Sequence, residues 1–165
     1  MFKTILKVII FAIAFAFVEA AVVTYLRHLL GSTQTTTTRE EVLFLIPGIA
    51  FLEPQTALKI IANSEVLKVE QIREFATLVM LATFAALAGK NLKEKAAYFF
   101  LSFGIWDIFY YLFLRLTIGW PTSLTDLDVF FLLPSPWAGP VIVPIMISAI
   151  LIALSLFYLL KLKEK

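Results

Sequence analysis

The chain contains no cysteine. That absence excludes disulfides, thiolate metal sites and cysteine nucleophiles together, and it leaves the redox compartment unmarked. His28 is the one histidine, so a histidine-cluster metal site is excluded too. Charge is also scarce. Charged residues make up 16% and apolar residues 61% of the 165 residues, against about 25% and about 45–50% in typical globular domains. A soluble fold would have too little polar surface to cover such a core, so the excess reads as lipid-facing surface. The net charge is a modest +2 with no basic stripe, which argues against a nucleic-acid partner. HExxH, GxSxG, P-loop and dinucleotide signatures are missing, and no cofactor is predicted.

Long apolar runs are what the chain does have. Crossing a bilayer takes roughly 20 mostly apolar residues. Four stretches qualify: about 5–30, 72–88, 96–118 and 138–160. The first also has the marks of a signal peptide, with Lys3, Lys7, the run VIIFAIAFAFV and small residues around Glu19. Because the apolar run continues past Ala20 to Leu30, it is read as a span. The expected fold class is an all-α integral membrane protein with four transmembrane helices, a single membrane domain over 1–165. Lysines at 3, 7, 90, 93, 95, 161, 163 and 165 collect on one side, while the 31–71 and 119–137 loops carry most of the acids. The positive-inside rule then puts both termini in the cytoplasm and those two loops outside, by default in a prokaryotic cytoplasmic (inner) membrane.

FVEAAVVTYLRHLLG and SFGIWDIFYYLFLRLTIG align with a shift of 88, placing Glu19 on Asp107, Arg27 on Arg115 and Gly31 on Gly119. After a one-residue gap, TREEVLFLIP matches TDLDVFFLLP. The pattern predicts an internal repeat of two spans, about 1–89 and 96–161, both halves oriented the same way. Thr38 with Glu41, and Thr125 with Asp128, fit a capping box. Segments 39–46 and 126–133 are therefore expected as short helices, each stopped by a proline and lying at the outer interface or re-entrant. Pro140 is expected in the first turn of the last helix and Pro144 deeper, where it would kink that helix. The mildly amphipathic 53–71 segment is expected on the membrane surface or as a lid, and STQTTTT as a loop.

An ionisable group inside a span costs about 2.5–3.5 kcal/mol on insertion scales, so such groups seldom face lipid. Under the repeat, Glu19 and Asp107 share one depth, and Arg27 and Arg115 lie about 12 Å further out. Tyr110 and Tyr111 follow Asp107 at helical spacing, and Arg73 and Glu74 open the second span at the same outer level. The candidate polar cluster is thus Glu19, Arg27, Arg73, Glu74, Asp107, Tyr110, Tyr111 and Arg115. A plainer reading makes it a salt-bridge network that fixes helix register. Trp120 and Trp137 have an equally plain reading as interfacial belt residues. No catalytic residue is assigned. A metal, if any, would be a hard cation on Glu19, Glu74 and Asp107.

VEAAVVTYLR, REFATLVML, FGIWDIFYYLFL, GWP and LDVFFLLPSPWAGPVIVP resemble a family of small, uncharacterised prokaryotic multi-spanning membrane proteins. The resemblance covers most of the chain except 48–70. It implies a place in the bilayer and carries no activity or catalytic residue across. Three functions compete on sequence. One is a small transport protein, proton- or cation-linked through Glu19 and Asp107, for which a homodimer is expected. The second is a non-catalytic subunit or assembly factor held beside a membrane-protein partner. The third is an intramembrane enzyme whose arginines grip a lipid phosphate.

Overall fold

The computed structural model describes residues 2–30 and 41–161. The chain runs α1 (Phe2–Leu30), β1 (Val42–Ile46), β2 (Ile49–Leu52), α2 (Thr56–Ile60), α3 (Ser64–Ala88), α4 (Leu92–Ile118), β3 (Leu127–Phe131), β4 (Trp137–Pro140) and α5 (Ile142–Lys161). Four helices, α1, α3, α4 and α5, are long and apolar enough to cross a membrane. Their outward residues agree with that: Ile10, Phe75, Leu116 and Phe157 are all exposed.

The helices start and stop where the sequence supplies caps. Asn63 precedes α3, and its side chain accepts from the backbone N–H groups of Glu65 and Val66. Asn91 and Glu94 exchange hydrogen bonds at the start of α4, Asn91 accepting from Glu94 N and Glu94 from Asn91 Nδ2. Gly119 ends α4 in the left-handed conformation, with φ +70°. α3 begins eight residues before the start expected at 72, because its first two turns are polar and escape an apolar-run criterion.

α4 is the hub, packing against α1, α3 and α5. Ala12, Ala16 and Ala20 of α1 recur every four residues, are fully buried, and lie in or beside the core containing Leu101 and Ile105 of α4. Small residues let helix backbones approach closely where lipid removes the hydrophobic drive for association. Gly104 does the same at α5, since a Cβ there would lie 2.8 Å from Ser148 O and 2.9 Å from Ile152 Cγ1. Phe17 meets Phe113, and Thr24 Oγ1 lies 3.3 Å from Thr117 Oγ1, so α1 and α4 run parallel. Phe11 stacks on Phe84, and Glu19 meets Thr77, so α3 runs antiparallel to α1.

The all-α expectation is corrected by a four-stranded antiparallel sheet in the order β1-β2-β4-β3. Segments 39–46 and 126–133, expected as short helices, hold strands β1 and β3. Pro47-Gly48 forms a two-residue turn between β1 and β2, with Gly48 at φ +83°. Val, Ile and Phe flanking a Pro-Gly turn favour a hairpin over a two-turn helix. Asp128 consequently caps no helix; it sits in β3 opposite Gly139. Thr38 and the Thr-rich run lie outside the described residues. The proline assignments shift as well. Pro140 ends β4, and Pro144 occupies the first turn of α5, where it is tolerated and does not kink the helix interior. The 53–71 segment divides between α2, a turn at Ile61–Asn63 and the first turns of α3, with Ala57, Ile61 and Leu67 buried against Leu132 of the second hairpin's loop. Leu58 and Val69 remain exposed.

Candidate functional site

The buried stripe of α3 explains how a polar site is built into an apolar bundle. Leu67, Glu70, Glu74, Thr77, Leu81 and Ala85 follow one another at three- and four-residue steps and are all buried. The half nearest the sheet is polar and the other half apolar. Glu19 on α1, Asp107 on α4 and Asp128 on β3 converge on the polar half from their own elements, and each is more than nine-tenths buried.

These residues line a cavity of about 340 Å³ under the sheet. Seven of the eight sequence candidates are on its wall: Glu19, Arg27, Arg73, Glu74, Asp107, Tyr110 and Tyr111. Arg115 is the exception. It is exposed and donates to Gly119 O at 2.6 Å and Pro121 O at 3.0 Å, so it ties down the chain just past the end of its own helix. Glu70, Asp128, Ser148 and Trp120 line the cavity without having been candidates. Glu70 was legible in principle, since it lies four residues before Glu74 on one helical face.

Glu19 and Asp107 share the cavity but not one depth. Phe17 lies beside Phe113 and Thr24 beside Thr117, sequence offsets of 96 and 93 where equal depth requires 88. At 1.5 Å per residue, Glu19 is set about 7–12 Å nearer the sheet than Asp107. The slide assigns different partners to the two acids. Glu19 accepts from Arg73 and, at 3.1 Å, from Thr77 Oγ1. Asp107 accepts from Ser148 Oγ at 2.7 Å. Tyr111 donates to Asp128 at 3.0 Å, not to Asp107.

Both cavity arginines are occupied. Arg73 forms ion pairs with Glu19 and Glu70. Arg27 pairs with Asp128 at 3.2 Å, and its guanidinium carbon lies 3.9 Å from the Trp120 ring centroid. Glu74 accepts from Leu132 N at 2.8 Å. Among the described residues, neither Glu74 nor Asp107 forms an ion pair. Five carboxylates therefore face two arginines. Burial pushes the Asp128 carboxyl up to about 6, against the pull of Arg27 and the Tyr111 hydroxyl. Asp126, near the protein surface, goes the other way: hydrogen bonds from the Thr122 hydroxyl and the N–H groups of Ser123 and Thr122 hold it below the usual carboxylate range.

The metal set expected from sequence does not assemble. Among the described residues no three His, Cys, Asp or Glu side chains converge as a metal site requires, and Glu19, Glu74 and Asp107 each bond elsewhere.

The chain matches no family model, no curated protein and no solved structure.

Proposed function

We propose that this chain is a small membrane transport protein whose cavity takes up a proton or a cation at Glu74 and Asp107. One observation carries the reading. Two carboxylates on the wall of a cavity have a hydroxyl or amide donor but, among the described residues, no ion-pair partner. An ionised carboxylate buried without a cation is costly. Each such group is stable either holding a proton or facing a bound cation, and exchange between those states is what coupled transport needs. Glu74 takes the place the sequence gave to Glu19, which Arg73 occupies.

The proposed internal duplication belongs to the same reading. It is supported by the acid–hydroxyl pair in each half, Glu19 with Thr77 and Asp107 with Ser148. The sheet order, symmetric about the β2–β4 seam, supports it too. The offset between α1 and α4 breaks that symmetry. With four spans, a homodimer with its termini in the cytoplasm is the assembly proposed for the working transporter. A structural role fits the other part of the cluster, where Arg73 ties α1 to α3 through Glu19. An enzyme gripping a lipid phosphate finds less support, because carboxylates already hold both cavity arginines.

The test is flux in proteoliposomes carrying an internal pH dye. Wild-type protein is expected to move protons, or sodium exchanged for protons, down an imposed gradient. Glu74→Gln and Asp107→Asn are expected to abolish that flux while eluting from gel filtration as wild type does. Loss of folded protein in both variants, with no wild-type flux, would favour a purely structural cluster.

A further inference from the structure

The walls of the cavity restrict what kind of cation suits it. A bare Ca²⁺ or Mg²⁺ takes six or more oxygen ligands, and no group of three acidic side chains converges for one among the described residues. An anion fares worse, facing five carboxylates and two arginines already paired. The remaining surface is apolar, and much of it is aromatic. Phe103, Trp106 and Phe131 form a run of rings with neighbouring centroids 5.6 and 6.4 Å apart, and it continues to Trp137 at 5.6 Å. Tyr110 stacks on Trp106 at 6.1 Å with 18° between the planes. Trp106 directly precedes Asp107 in sequence and also lines the cavity.

A ring face attracts a cation through its quadrupole, most strongly when the cation is weakly hydrated. The cavity already contains one such contact, Arg27 over Trp120. A second feature points to a ligand. Trp106 is 4% exposed, yet neither its indole N–H nor that of Trp120 has a hydrogen-bond acceptor among the described residues. A buried donor without an acceptor costs about 1–3 kcal/mol, and a ligand oxygen reaching it on a small turn of the ring would satisfy it.

Resting on the transport reading, we infer that the cavity's substrate is an amphipathic organic cation, an aromatic or quaternary ammonium carrying a hydrogen-bond acceptor. Its charge faces Asp107, its apolar body lies on the aromatic wall beside it, and its acceptor meets an indole N–H. Volume agrees, since about 340 Å³ falls within the range of small-molecule sites, about 300–1,000 Å³.

All three tryptophans of the chain line this cavity, so intrinsic fluorescence reports directly on its occupancy. The probes are benzyltrimethylammonium, its uncharged carbon isostere neopentylbenzene, and benzenesulfonate, each titrated into purified wild-type protein in a non-ionic detergent. Saturable quenching is expected with the cation, at an affinity about tenfold or more above the isostere, the scale of a desolvated cation–π contact with an ion pair. Benzenesulfonate is expected not to bind. A choline ester, which adds a carbonyl acceptor, is expected to bind more tightly to wild type than to Trp106→Phe. Equal affinity for the cation and its isostere, or tighter binding of the sulfonate, overturns the inference, and this comparison needs no variant to fold. Sodium or proton flux without benzyltrimethylammonium binding would overturn the substrate class and leave transport standing. Saturable cation binding without any flux would uphold the cation site and overturn transport.

Discussion

Asp107 on α4 and Ser148 on α5 are joined by a 2.7 Å hydrogen bond in which the serine hydroxyl donates. Gly104 lies one helical turn before Asp107 and lets α5 come close enough for that bond. A methyl group at 104 would meet the Ser148 carbonyl at 2.8 Å. Gly104→Ala is expected to push α5 away, at about 1–3 kcal/mol as overpacking usually costs. Thermal gel filtration should show a lower midpoint, and cation binding should weaken with it. Unchanged stability would mean that α5 yields without strain.

Arg73 holds Glu19 and Glu70 together, with its side chain 20% exposed. Arg73→Met leaves two buried carboxylates without a cation. Removing one partner of a buried pair costs about 3–5 kcal/mol. Unfolding in mixed micelles should register that loss. Adding Glu19→Gln and Glu70→Gln should restore much of it, because the stranded charges are then gone. A triple variant no more stable than the single one would show that the pairing is not what destabilises Arg73→Met.

Asp128 supplies the pH dependence. Its carboxyl titrates at about 6 in the folded protein against an ordinary 3.8. Between those values the folded protein holds a proton that the unfolded chain has released. Ionising Asp128 therefore lowers stability as pH climbs through that window. Below about pH 6, neutral Asp128 releases its hold on Arg27, the cation lying over Trp120. A variant with Trp106→Phe and Trp137→Phe leaves Trp120 as the sole reporter. Its fluorescence is expected to change with a midpoint near pH 6, and Asp128→Asn is expected to abolish the transition. A transition that survives Asp128→Asn would assign the titration to another group.

Arg115 provides the contrast. It is exposed, and its hydrogen bonds among the described residues go to the Gly119 and Pro121 carbonyls just past α4. Arg115→Ala is expected to cost about 1 kcal/mol or less, the scale of an exposed helix-terminal contact, with flux and ligand affinity unchanged. Arg27→Ala, at the position aligned with Arg115 in the sequence repeat, is expected to impair both. Equal effects from the two variants would restore the sequence-derived cluster.

The four long helices were legible because each contains a run of apolar residues that only a bilayer-length helix explains. The sheet was hidden for the opposite reason. Strands β1 and β3 are five residues of nearly unbroken apolar sequence, and periodicity cannot separate such runs from a short helix. The Thr38–Glu41 and Thr125–Asp128 spacings mimic capping boxes, although the Pro47-Gly48 turn that follows the first favours a hairpin. The cost of charge inside apolar runs singled out Glu19, Arg27, Asp107 and Arg115, of which the first three line the cavity. Glu70 was missed because α3 begins earlier than its apolar section. The pairing of charges was not readable either, because the slide of α1 along α4 is set by packing that one sequence does not display.

The two hairpins are stitched along the middle, where Ala50 and Phe51 of β2 pair with Ala138 and Trp137 of β4. A plate joined at its midline cannot part like double doors. Either it lifts as one piece, or it stays still while helices tilt apart beneath it. Under the proposed transport role, admission between tilting helices is sideways, the route open to an amphipathic cation that partitions into a bilayer.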